Sequence, residues 1–99
     1  MQRQVHDWVK QTKIGYFKPL EALARLAEEV GELAREINHT FGVKKKKLTE
    51  KDKEIADEMG DIIFTLICMA NPLGISLDKA FKKSIGKLNR RDKKRWEKK

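Results

Sequence analysis

Glu29-Val30-Gly31-Glu32 and Glu58-Met59-Gly60-Asp61 each set two carboxylates three residues apart, twice in one chain of 99 residues. On a helix, residues at i and i+3 project from one face, so each pair presents two oxygen-rich groups side by side. Carboxylates that close repel one another, and beside apolar packing they also lose solvation. A hard divalent cation relieves both costs. If the two helices pack antiparallel, Glu29, Glu32, Glu58 and Asp61 converge at one level as an oxygen-only ligand set. Such a set suits Mg²⁺, or Mn²⁺, rather than zinc, which takes His and Cys. Mg²⁺ keeps several waters and commonly completes its shell with substrate phosphates, so the chemistry expected of these acids is hydrolysis at phosphorus.

Two plainer readings compete. An acidic stripe on a solvated helix is common, and one Glu-x-x-Glu says almost nothing. Here, however, Gly31 and Gly60 stand inside the pairs, and each costs its helix roughly 1 kcal/mol against alanine. Close approach of the facing helix or of a substrate would explain them. The second rival is a di-iron bundle, for which Glu36-Ile37-Asn38-His39 has the Glu-x-x-His spacing. That architecture needs a second copy of the motif, which the chain lacks. His39 is better explained near a helix end, against the dipole.

The elements that must position these acids read as four helices, with no strand-like alternation. The first is expected over about Gln2–Lys13, with Val5, Trp8 and Val9 on one stripe; Trp8 reads as core. Ile14 to Lys18 break the pattern, and Pro19 suits the first turn of a second helix reaching about His39, closed by Gly42. Leu23, Leu26, Ala27, Val30, Leu33, Ala34 and Ile37 cover one wide face of it. Four lysines, Lys44–Lys47, form a connector, and Thr49 with Asp52 signals the N-cap of the third helix. That helix ends Ile62-Ile63-Phe64-Thr65-Leu66-Ile67-Cys68-Met69-Ala70, apolar almost all round. A helix apolar on every side must be covered on every side, and three short neighbours cannot do it alone. A partner subunit on the third helix is therefore expected. Asn71-Pro72-Leu73-Gly74 stops it, and Ser76 caps the fourth helix.

Composition supports one small domain that leans on assembly: 39% hydrophobic and 38% charged residues leave little to bury. The net charge of +8 is localised. Residues 1–81 balance at 13 basic and 13 acidic side chains, whereas 82–99 hold ten basic and two acidic. The basic excess thus belongs to a C-terminal stretch, with a tail from about residue 90. Cys68 is the single cysteine, so no intrachain disulfide forms, and a buried structural thiol suits a reducing compartment. The polar N-terminus has no secretory h-region, and Ile62–Ala70 falls short of the ~20 residues a bilayer requires. A cytoplasmic, membrane-free protein is expected.

Leu26-Ala27-Glu28-Glu29-Val30-Gly31-Glu32-Leu33 followed by Glu58-Met59-Gly60-Asp61-Ile62-Ile63-Phe64 resembles the MazG-like nucleotide pyrophosphohydrolases. Ala70-Asn71-Pro72-Leu73-Gly74-Ile75-Ser76-Leu77 looks like that family's helix break. The resemblance covers about residues 20–91 of a single domain over 1–99, and the layout is most similar to the small YpjD-type members. It implies an all-α four-helix fold, a homodimer or homotetramer, and Mg²⁺-dependent hydrolysis of a nucleoside triphosphate to monophosphate and pyrophosphate. Glu29, Glu32, Glu58 and Asp61 would be the metal ligands and catalytic acids, with Glu28 behind them. Lys83, Lys87 and Arg91, at i, i+4 and i+8 on one face, would contact phosphate, although Ile85 stands where many members carry asparagine. Tyr16 and Phe17 are candidates for a base pocket.

Within that superfamily a house-cleaning pyrophosphohydrolase competes with more dedicated enzymes, dUTPase-like or acting on phosphoribosyl-ATP. From outside it comes one alternative: a non-catalytic helical module whose basic tail, with Trp96, binds nucleic acid. Tail binding gives no reason for four acids at one level.

Overall fold

The computed structural model describes residues 1–42 and 51–91, with side chains of the second segment from residue 54 onward. These residues form four helices and no strand: α1 (Gln2–Lys10), α2 (Pro19–Phe41), α3 (Lys51–Ala70) and α4 (Leu77–Arg91). The Lys44–Lys47 connector, the Thr49 cap and the tail with Trp96 lie outside the described residues.

Local chemistry sets the ends. α1 stops at Lys10 rather than Lys13 because Thr12 competes for its last turn: the Thr12 hydroxyl donates to Val9 O at 2.8 Å and accepts from Gly15 N at 3.2 Å. Gly15 then takes φ +73°, where a β-carbon would be strained. Pro19 opens α2 at its first turn, and the helix runs two residues past His39, closed by Gly42 N–H donating to Asn38 O at 2.7 Å. Ser76 does cap α4, accepting from Lys79 N at 3.2 Å.

α2 and α3 form the principal packed pair, and α1 lies on α3. The pair is antiparallel: Glu29 and Glu32 meet Glu58, while Ala22 and Arg25, earlier on α2, share a cavity with Thr65 and Cys68, later on α3. A small core gathers where the three helices meet. Val9, Ala22, Ile67 and Ala70 are its buried apolar residues among those described.

α1 is fixed to the far end of α3 by a polar knot. The Gln2 side chain donates to Asn71 Oδ1 (2.9 Å) and Ile75 O (2.8 Å) and accepts from Leu77 N (2.8 Å). Asn71 Nδ2 donates to Gln2 O (3.1 Å) and to the Tyr16 hydroxyl (2.9 Å), which also meets His6 Nδ1 at 3.0 Å. One asparagine therefore joins α1, the α1–α2 turn and the α3–α4 turn. Replacing it orphans part-buried partners, each worth about 1–3 kcal/mol when left unpaired. Asn71→Ala is expected to lower the urea midpoint with the slope unchanged, and Asn71→Asp, which loses both donations, to do nearly the same.

Much apolar surface is left over. Leu23, Val30, Ile37 and Phe41 form one stripe on α2, and Met59, Ile63 and Leu66 another on α3, each 37–72% exposed. In the apolar half of α3, Ile67 and Ala70 are buried, but the described residues leave Ile63, Phe64 and Leu66 exposed. Gly31 and Gly60 also lack a close neighbour: a β-carbon at either meets nothing within 4 Å. Close approach of α2 and α3 is therefore not what selects those glycines.

Candidate metal and nucleotide site

The acid pairs meet where α2 and α3 cross level. Glu29, Glu32 and Glu58 each offer an oxygen within 4.8 Å of the others, and all three are half-buried. Asp61 is more exposed and lies beside Glu29 on the wall of the same cavity. Glu28 is exposed and lines no part of it. Among the described residues no other group of three or more such side chains gathers, and His39 stays outside this one. The di-iron arrangement is therefore not formed.

Crowding is written into the acidities. Burial raises the Glu29 carboxyl above its usual value, and the charges of Glu32 and Asp61 raise it further; Arg25 and a hydrogen bond from Glu58 act the other way. Burial likewise raises Glu58 first, followed by its hydrogen bond to Glu32 and the charges of Glu32, Glu29 and Asp61. Glu29 Oε2 and Glu58 Oε2 are buried and have no hydrogen-bond partner. Buried acceptors left unpaired, converging with a third carboxylate, fit a hard divalent cation.

Beside the acids opens a cavity of about 400 Å³, within the range of small-molecule sites. Glu29 and Asp61 form one wall, and Trp8, Ile14, Tyr16, Phe17 and Phe64 much of the rest. Trp8, expected in the core, is 56% exposed and stands at this cavity with its ring edge-on to Phe64, 5.7 Å between centroids at 77°. It misses the core because α1 crosses α3 on Val9, the neighbouring stripe position, which is buried. Tyr16 and Phe17, the base-pocket candidates, both line the cavity. Cys68 is half-buried on its wall, not sealed in the core, and burial raises its thiol while Arg25 lowers it.

Arg25 was not anticipated. It is the one cation on the wall among the described residues, its guanidinium 5.0 Å from the Phe17 ring centroid, between the aromatic and acidic ends. Its position four residues before Glu29, on the same helix face, is the signal that could have found it. Lys83, Lys87 and Arg91 present the opposite case: all three are exposed on α4, and none lines the cavity.

Four helices that gather crowded oxygen donors beside an aromatic-walled cavity define an all-α protein with a candidate metal site. Residues 17–96 match the MazG nucleotide pyrophosphohydrolase domain, and the chain belongs to that family. It is 52% identical to YpjD of Bacillus subtilis (strain 168) over 99 residues, spanning the whole chain and 89% of YpjD. YvdC of the same organism is 32% identical over 94 residues, covering 85% and 89% of the two chains. The crystal structure of B. subtilis YpjD superposes with a TM-score of 0.82 at 51% identity, covering 89% of this chain and 90% of that one. A Bacillus-conserved MazG protein, a nucleotide pyrophosphohydrolase, gives 0.80 at 47% identity, covering 95% and 90%. Among the described residues no helix is long and apolar enough to cross a membrane.

Proposed function

We propose that this enzyme hydrolyses nucleoside or deoxynucleoside triphosphates to the monophosphate and pyrophosphate, with Mg²⁺ (or Mn²⁺) held by Glu29, Glu32, Glu58 and Asp61. The observation that carries the reading is the carboxylate nest opening directly onto an aromatic cavity. A phosphate chain at the acids leaves its base among the aromatic rings. When bound, the cation neutralises phosphate oxygens and makes water a better nucleophile near neutral pH. The water oxygen then bonds to the α-phosphorus as the α–β anhydride bond breaks. Pyrophosphate leaves with the electron pair, and the proton passes to a carboxylate. Lys83, Lys87 and Arg91 are the phosphate contacts in this reading. It fits a house-cleaning role in the cytoplasm, performed by a homodimer or homotetramer.

A panel of standard and modified nucleotides, incubated with Mg²⁺ and scored for pyrophosphate, tests the proposal. Release of orthophosphate alone, or no release from any nucleotide, refutes it. Stacking on an aromatic ring is worth about 1–3 kcal/mol per base. Trp8→Ala and Phe17→Ala are accordingly expected to raise KM roughly tenfold or more while changing kcat little. A fall in kcat at constant KM would remove these rings from base binding. The nucleic-acid alternative requires tight, salt-sensitive DNA or RNA binding by a chain that hydrolyses nothing.

A further inference from the structure

A nucleotide held by its phosphates at the carboxylates leaves its base to be read by the rest of the cavity wall, and most polar side chains there are already engaged. Tyr16 presents its ring alone. Its hydroxyl accepts from Asn71 Nδ2 at 2.9 Å, and that amide is oriented by its other donation, to Gln2 O, which can only accept. The phenolic hydrogen is therefore left for His6 Nδ1, 3.0 Å away. Thr12 is spent in the same way, donating to Val9 O and accepting from Gly15 N. Thr65 is 8% exposed on α3, where a threonine hydroxyl commonly turns back to the carbonyl one turn earlier. Burial raises the Cys68 thiol more than Arg25 lowers it, and a neutral thiol is weak as donor and as acceptor. Glu29 and Asp61 are acceptors, but the cation claims them. The two remaining polar side chains on the wall, Trp8 and Arg25, carry N–H donors and no acceptor.

Arg25 is held in place for that task. Its guanidinium carbon lies 5.0 Å from the Phe17 ring centroid, and its charge reaches Glu29 on α2 and Cys68 across the cavity on α3. A guanidinium resting on a ring keeps its plane fixed and offers its fork of N–H donors at the edge. We propose that Arg25 reads the base, so that the site prefers nucleotides with a carbonyl oxygen at purine C6 or pyrimidine C4 over those with an amino group there. The assignment of a substrate class, 6-oxopurines and 4-oxopyrimidines, rests on the functional reading above. An oxo edge gives the fork what it lacks: O6 beside N7 in a purine, O4 in a pyrimidine. An amino group at the same position turns two hydrogens toward a cation and meets no acceptor side chain. A polar group enclosed without a partner costs far more than a missing contact, and this is how a site rejects a near-identical analogue.

Matched substrates isolate the contact. Inosine and adenosine triphosphates differ only along the base edge that carries C6, and deoxyuridine and deoxycytidine triphosphates only along the edge that carries C4. With Mg²⁺ the wild type is expected to show a kcat/KM about tenfold or more higher for the oxo member of each pair. Arg25→Gln, at an exposed position that the fold tolerates, sets an acceptor beside a donor, the combination that pairs with an adenine edge. It is expected to erase or reverse both ratios. Loss of the charge near Glu29 acts on both members of a pair alike and cancels in the ratio. Calorimetric titration with the α,β-methylene analogues of the same four nucleotides, which cannot break at that bond, reads the preference without turnover. A wild type that hydrolyses nothing therefore refutes the functional reading, while these affinities still decide the role of Arg25. Equal values within both pairs, no binding of any analogue, or Arg25→Gln ratios unchanged from the wild type would overturn the proposal. So would an Arg25→Gln protein that loses as much affinity for inorganic pyrophosphate with Mg²⁺ as for the nucleotides, because Arg25 would then serve the phosphates.

Discussion

Glu58→Gln yields a protein that melts at a higher temperature than the wild type in metal-free buffer at pH 7 and hydrolyses nucleotides at least about a hundredfold more slowly. Both results come from one feature. Glu58 loses solvation on burial and faces Glu32, Glu29 and Asp61, so its ionised form is held at a cost in the folded chain. Glutamine keeps the shape and removes the charge. It also removes an oxygen donor, and losing even an outer partner of a metal ligand costs about 10–100-fold in affinity or activity. A ligand itself is expected at or beyond the upper end. Thermal melts in EDTA and initial rates in Mg²⁺, on the same preparations, check the pair of outcomes. A variant that loses activity and also loses stability would mean that Glu58 is structural, and the account of the nest would fall.

The same acidities fix a dependence on pH. Both Glu29 and Glu58 hold protons more tightly folded than unfolded, where the carboxyl titrates near 4.5. Such groups favour the folded state fully below that value, and the benefit disappears as pH rises through the raised folded one. Metal-free protein should therefore lose stability as pH climbs from about 4.5 through the mildly acid range, and Glu58→Gln should flatten that slope. Mg²⁺ binds the ionised acids, so its stabilisation should grow with pH and with the logarithm of its concentration. Activity should rise over the same acid limb.

The sequence reached the acids because their reason is local. Spacing puts each pair on one helix face, and Glu29, Glu32 and Glu58 gather when the helices pair, with exposed Asp61 on the adjoining cavity wall. The helix order, Pro19 at the start of α2 and the Ser76 cap are legible for the same reason. What failed depended on how helices meet. Nothing in the spacing of Val5, Trp8 and Val9 says which of them faces α3, and the structure buries Val9 and leaves Trp8 at the cavity. The Gln2–Asn71–Tyr16 knot joins positions up to 75 residues apart, where no local pattern exists. The apolar run of α3 was legible as too apolar for three short neighbours to cover, and Ile63, Phe64 and Leu66 are indeed exposed in the single chain. Gly31 and Gly60 had two readings, close approach of the facing helix or of a substrate. Open space around both positions removes the first and leaves the substrate.

Ile63→Asp is the substitution expected to act furthest from the chemistry. In the single chain Ile63 is 45% exposed and lines no part of the cavity. A charge placed on a solvated surface changes stability by no more than about 0.5 kcal/mol. If the α2 and α3 stripes are instead covered by a second copy, the aspartate is buried without a partner at roughly 3 kcal/mol or more. A two-fold interface feels it twice. About 6 kcal/mol weakens association about ten-thousandfold, enough to turn an assembled protein monomeric at micromolar concentration. Light scattering should then show a single chain, the melting temperature should stop depending on concentration, and hydrolysis should fall although every carboxylate is in place. Each of those losses follows from the same uncovered stripes. A variant that keeps its assembled mass and its rate would show that α3 faces water, and the partner would have to be sought on another surface.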